Sequence, residues 1–246
     1  MLMPLFKAMS VRDCCLSPSR IDVWEFPLTQ FAQPALLLLN EDEQAKGNRF
    51  RFEHHRRRYR VARAMMRIIL GKYLNCPPEH LQFDYNSHGK PEIKSKEAIE
   101  FNLSHSGELA LLAVGQHTPL GIDLEFFSAR PYEGIAKHSF SPQECAALAK
   151  VPIQLKPLSF FSIWSQKEAL IKACGLGLSY PTQRFNVPIL PAAQEEIVDS
   201  LHETVWQMRC FMPQISCCAA LCFQPQIEVI RYLKVNPLDF FKAEEI

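Results

Sequence analysis

Apolar residues recur at helical spacing at Val61, Met65, Ile69 and Tyr73, which predicts a long helix over 53–74, ended by Pro77 and Pro78. Just upstream, Asn40 followed by Glu43 has the form of a capping box, so a shorter helix starts at Glu41. The segment 21–28, with Val23, Trp24 and Phe26, reads as a strand. Segments 101–103 and 109–114 read as two more, joined by the polar turn Ser104-His105-Ser106-Gly107. After the linker His117-Thr118-Pro119 comes a strand over 120–126. Ser141, Pro142 and Glu144 then open a helix as N-cap, first residue and box partner. A further helix covers 160–174 and stops at Gly175, and 205–222 carries two strand candidates. Each half therefore contains strands and at least one long helix, and no sequence repeat relates the halves.

With 246 residues the chain is long for one simple core and comfortable for two small ones. A net charge of +1 argues against a protein basic throughout, so an anion site has to be local. The nine cysteines include two adjacent pairs but no C-x-x-C and no zinc spacing, which suits a reducing compartment. Most of them, including Cys210, Cys218 and Cys222 in an apolar strand-like stretch, read as small buried hydrophobes. The first ten residues are too short an apolar run for a signal peptide, and no stretch approaches a membrane span. The expectation is a cytoplasmic protein with no membrane partner.

Four segments carry candidate chemistry. Along 120–125, alternation puts Leu120, Ile122 and Leu124 on one face of a strand and Asp123 and Glu125 on the other. Carboxylates so placed are roughly 7 Å apart between Cα atoms, and repel by about 2 kcal/mol at an effective dielectric of 20. A hard cation such as Mg²⁺ turns that cost into a gain; without one, the pair is an ordinary solvated face. In Trp164-Ser165-Gln166-Lys167-Glu168-Ala169-Leu170-Ile171-Lys172, Glu168 and Lys172 lie one turn apart, as a weak salt bridge would. Such a pair does not account for Lys167, which falls inside the apolar stripe of Ile163, Leu170, Ile171 and Cys174. The turn Ser104–Gly107 has the hydroxyls and N–H groups to hold a phosphate, or is simply a hairpin. Finally, eight arginines between Arg49 and Arg67 face one acid, Glu53, and Arg56, Arg60, Arg63 and Arg67 follow one helical face. A solvated face is the usual account of such a run; an excess this large makes an anionic partner plausible.

Together and in this order, the segments resemble the 4′-phosphopantetheinyl transferase superfamily, in its long, two-lobed Sfp type. Three blocks carry the resemblance, which extends from the Trp24 strand to near Cys218. They are Gly89-Lys90-Pro91 with Phe101 through Gly107, Gly121-Ile122-Asp123-Leu124-Glu125, and Trp164 through Lys172 with the trailing Gly175-Leu176-Gly177-Leu178. The resemblance implies an α+β fold of two similar α/β lobes related by a pseudo-two-fold axis, each a small sheet packed on a long helix. The lobes would be 1–118, making the coenzyme contacts, and 119–246, carrying the metal and catalytic residues, with coenzyme A in the cleft between.

Carried over residue by residue, the resemblance implies that Asp123, Glu125 and Glu168 ligate Mg²⁺, with water completing the shell because Leu124 provides no third acid in the strand. Glu168 or a metal-bound water would serve as base, and Lys172 would contact the coenzyme phosphates, with Glu168 and Lys172 as the catalytic residues. Ser104, His105, Lys90 and an arginine of the early helix, Arg58 with Arg49 as a further candidate, would bind the 3′-phosphoadenosine end. The implied partner is an apo-acyl or peptidyl carrier protein, modified on a serine by a monomeric enzyme. Nucleic acid is not an expected partner. A metal-dependent phosphodiesterase would use the same carboxylates to activate water. A nucleic-acid-binding module would use the arginines but leave the three acids without a role.

Overall fold

The computed structural model describes residues 2–10, 13–29, 37–129, 131–190, 194–199 and 201–235. The strands are β1 Lys7–Met9, β2 Arg20–Pro27, β3 Phe83–Tyr85, β4 Pro91–Ile93, β5 Ile99–Ser106, β6 Leu109–Gln116, β7 Leu120–Phe126, β8 Gln194–Asp199, β9 Thr204–Phe211, β10 Cys217–Phe223 and β11 Val229–Val235. The α-helices are α1 Glu41–Asn48, α2 Glu53–Tyr73, α3 Tyr132–Ser139, α4 Pro142–Ala149 and α5 Lys156–Cys174. Among the described residues no helix is long and apolar enough to cross a membrane.

Two sheets form the centre of the molecule. One has the order β1-β11-β2-β6-β5 and the other β7-β10-β9-β8, with β3 and β4 as a separate hairpin. Alternation gives each sheet two apolar faces. Trp24, Phe26, Leu112 and Val114 pack on Val61, Met65, Ile69 and Tyr73 of α2. Met208, Cys210, Cys218 and Cys222 pack on Ile163, Leu170 and Ile171 of α5. The opposite faces meet in a third core, where Ile21, Val23 and Leu111 touch Ile122, Leu124, Ala219 and Leu221. The order of layers is therefore helix, sheet, sheet, helix, and the α+β architecture of two small sheets, each on a long helix, is the one expected. The second half of the chain does not stay in the second sheet: β11 runs parallel to and between β1 and β2, so the first sheet is closed by residues beyond 228.

Both expected capping boxes are present, at Asn40 with Glu43 and at Ser141 with Glu144. Helix α2 ends at Tyr73 with Leu74 as its C-cap, before the prolines, and Asn75 takes a left-handed conformation with φ 47°. Helix α5 begins at Lys156, four residues earlier than the apolar pattern suggests, and Gly175 caps its end at φ 71°. One expectation is corrected: Ser104, His105 and Ser106 belong to β5, and the turn is Gly107-Glu108. The hydroxyls on this stretch serve a strand edge and not a loop.

Candidate active site

Strands β5 and β7 are edge strands of different sheets lying against each other. Residues Asn102, Ser104 and Ser106 are two apart along β5 and face β7 together. Asn102 Oδ1 accepts the Ile122 N–H at 2.8 Å. Ser104 donates to Asp123 Oδ1 at 2.8 Å, and Ser106 donates to Glu125 Oε2 at 3.1 Å. The S-x-S spacing of one strand thus matches the D-x-E spacing of the other.

Helix α5 crosses β7 at Gly121. A Cβ there would overlap the Ala169 carbonyl and the Ala173 amide, so only glycine permits the approach. The approach brings Lys172 to Asp123: its Nζ lies 2.6 Å from Oδ1, 2.9 Å from Ser104 Oγ and 3.2 Å from the Ile122 carbonyl. Asp123 is buried, and its other oxygen, Oδ2, has no hydrogen-bond partner. Glu168 is raised from its ordinary value by burial first, then by the charges of Asp123 and Glu125, against the opposing pull of Lys172. His105, although exposed on its outer side, is held below its ordinary value by desolvation against the protein around it, then by Lys172 and Arg58.

Three oxygen-donor carboxylates in one another's field, one with an orphaned buried oxygen, have the chemistry to take a hard divalent cation. Among the described residues, though, no three His, Cys, Asp or Glu side chains are gathered as a ready cage. Lys172 supplies the positive charge beside Asp123 instead.

The remaining expected residues are more dispersed. Arg58 donates through Nε and Nη2 to Glu108 Oε1 at 2.9 and 2.7 Å, and Arg57 adds a third bond to the same oxygen at 2.9 Å. Arg49 caps α1 with an exposed side chain. Lys90 reaches the end of α5, where its Nζ donates to the carbonyls of Leu120 at 3.1 Å and Ala173 at 3.4 Å. The open arginine face is corrected. Arg63 and Arg67 are buried on Glu43, both lie over the Phe83 ring, and Arg56 and Arg60 bond Glu53 and Asn48. Lys167 is buried too, on Glu144 and the carbonyls of Thr182 and Phe185, tying the segment after α5 to α4. Asn102 and Glu108 are given no role by the sequence, and Ser106 is placed in a phosphate-holding turn and not beside Glu125. The signal available was three polar residues at strand spacing, 102, 104 and 106, inside an otherwise apolar pattern.

Residues 119–218 match the family model of the 4′-phosphopantetheinyl transferase superfamily, and 23–117 match that of the 4′-phosphopantetheinyl transferase N-terminal region. The chain is 36% identical over 215 residues to the 4′-phosphopantetheinyl transferase HetI of Nostoc sp., an alignment covering 84% of this chain and 88% of the relative. The chain belongs to the 4′-phosphopantetheinyl transferase superfamily. Other members are similar over less of their length. The 4′-phosphopantetheinyl transferase psf-1 of Bacillus pumilus is 33% identical over 66% of this chain and 69% of its own. The 4′-phosphopantetheinyl transferase Sfp of Bacillus subtilis is 28% identical over 70% of this chain and 76% of its own. In this transferase the two family matches meet at Thr118, in the connection between β6 and β7, and the acids and Lys172 all fall in the second match.

Proposed function

We propose that this transferase moves the 4′-phosphopantetheine group from coenzyme A to a serine of an apo-acyl or peptidyl carrier protein, with Mg²⁺, releasing adenosine 3′,5′-bisphosphate. The observation that carries the reading is the Ser104–Asp123–Lys172 contact with the buried, unpartnered Asp123 Oδ2 beside it. An ammonium group and a spare carboxylate oxygen at one point suit a pyrophosphate and its counter-ion.

Asp123, Glu125 and Glu168 would hold Mg²⁺, which when bound supplies positive charge against the pyrophosphate. Lys172, already directed at this point from α5, offers its ammonium to the phosphate that leaves with adenosine. Glu168, raised by burial and by its acidic neighbours, is suited to take the proton of the attacking carrier serine. Arg58 and His105, with Arg49, would take the 3′-phosphoadenosine end. Lys90 keeps one ammonium proton beyond its two carbonyl bonds for the same purpose. Ser104 has committed its one proton to Asp123, so its part is to hold Asp123 against Lys172. We further place the enzyme in the cytoplasm as a monomer.

The test is intact-mass analysis of apo-carriers from fatty-acid, polyketide and peptide synthesis. The expected result is a gain of one phosphopantetheine on the carrier serine when coenzyme A and Mg²⁺ are both present, and none when either is left out. No gain on any carrier rejects the reading.

A further inference from the structure

The edges of β5 and β7 face each other without a backbone ladder. The even-numbered residues of β7 turn their backbone groups away from β10, and such groups need partners. They receive side chains: Asn102 takes the Ile122 N–H, Lys172 and Lys90 take the Ile122 and Leu120 carbonyls, and Ser106 takes the Phe126 N–H at 3.2 Å.

Within this seam the Ser106 proton is fully determined. The Phe126 N–H can only donate, so the hydroxyl oxygen must accept it. The Glu125 carboxylate can only accept, so the single hydroxyl proton must go to its Oε2. Ser104 obeys the same rule, accepting from Lys172 and donating to Asp123. Each acid of the D-x-E pair is thereby aimed by a hydroxyl that the backbone or a lysine has itself oriented.

We propose that Ser106 is a positioning residue for Glu125, fixing one carboxylate oxygen on the strand seam so that the group is oriented to hold a divalent cation. This rests on the reading that Glu125 is one of the cation-holding acids. Groups that orient a metal ligand usually contribute about tenfold or more to affinity. The comparison that isolates the hydroxyl is Ser106→Thr against Ser106→Val, which have the same shape and suit a strand equally; Ser106→Ala is the third variant.

Binding of Mn²⁺ alone to the full chain is followed by electron paramagnetic resonance of the free ion. In parallel, exchange of the Phe126 amide is followed by NMR. Wild type and Ser106→Thr are expected to bind alike, and Ser106→Val and Ser106→Ala about tenfold more weakly with faster Phe126 exchange. Equal Mn²⁺ affinity in all four proteins overturns the positioning role and leaves the metal reading standing. Failure of the wild-type chain to bind Mn²⁺ overturns the metal reading and the positioning role with it.

Discussion

Lys172 touches Asp123, Ser104 and the Ile122 carbonyl with one ammonium group, and its charge reaches His105 and Glu168. His105 shows the consequence. Partial desolvation and the charges of Lys172 and Arg58 hold it below 6.5, while Asp123 pulls the other way. In Lys172→Met the repulsion goes and the Asp123 attraction remains, so the His105 midpoint should rise. Imidazole-proton NMR of the free enzyme, assigned by subtracting a His105→Gln spectrum, measures it; an unchanged or lower midpoint rejects the account. A histidine held low in the fold takes its proton less readily than the unfolded chain does. Stability from this group is therefore lost as pH falls below 6.5, and Lys172→Met should lose less of it. At this scale the sequence was informative wherever a residue acts through its own strand or helix. The alternation Asp123–Glu125 and the one-turn step Glu168–Lys172 were both readable. The arginines were not, because Glu43 and Glu108, which bind Arg63, Arg67, Arg57 and Arg58, lie outside the segment. A local charge count cannot see partners delivered by folding.

Between elements, the decisive contact is α5 on β7. Lys172 and Glu168 ride on the helix and Asp123 and Glu125 on the strand, so the gap at Gly121 sets the distance between the two pairs. In Gly121→Ala the new methyl meets backbone that no rotamer change can move, and α5 must shift. Overpacking of this kind costs about 1–3 kcal/mol, or several degrees of melting temperature for a chain of this size. A displacement near 1 Å at a catalytic group can cost about a hundredfold in rate. The control is Gly115→Ala, whose Cβ would have side-chain atoms of Leu120, Thr118 and Ile21 as its three nearest neighbours. Melting curves and turnover of both variants decide the matter: full activity in Gly121→Ala would show that the close approach does not set the site. Elements with their own signals, such as the capping boxes and the apolar period of α2, were legible. The three-residue strands β1, β3 and β4 were not, since so few residues carry little pattern, nor were β8 and β11, and partners far along the chain supply the pairing of β1 and β11. Ser104–Ser106 was misread for a related reason: serine and glycine signal a turn by composition, while here the hydroxyls replace the missing neighbour of an edge strand.

Across the whole molecule, the chain passes from the first sheet to the second at Thr118 and comes back at β11. The return is fastened at Asp22, a buried carboxylate that accepts Arg231 Nε and Nη2 at 2.7 and 2.6 Å, Tyr73 Oη at 2.6 Å and Arg20 Nε at 3.1 Å. Tyr73 in turn accepts Trp24 Nε1 at 2.9 Å, so β11, β2 and α2 meet in one buried network. Lys234 on Glu25 adds a second tie along the same pair of strands. With the shared core between the sheets, this makes it costly for either lobe to unfold while the other stays folded. The three tryptophans report on the lobes separately, because Trp24 belongs to the first core, and Trp164 and Trp206 to the second. Urea unfolding of Trp24→Phe and of Trp164→Phe/Trp206→Phe should therefore give the same free energy profile once each is compared with its own far-ultraviolet transition. Arg231→Ala provides the sharper version. It leaves Asp22 with Tyr73 and Arg20 and removes charge-assisted bonds worth about 1.5–3 kcal/mol, a drop of roughly 5–10 °C in melting temperature. The substitution lies in the first sheet, so uncoupled lobes would lose stability only at Trp24. Coupled lobes would show the same shift at Trp164 and Trp206, far along the chain from the change. A second-lobe transition that stays at its wild-type midpoint in Arg231→Ala would mean that β11 closes the first sheet without binding the two halves into one cooperative unit.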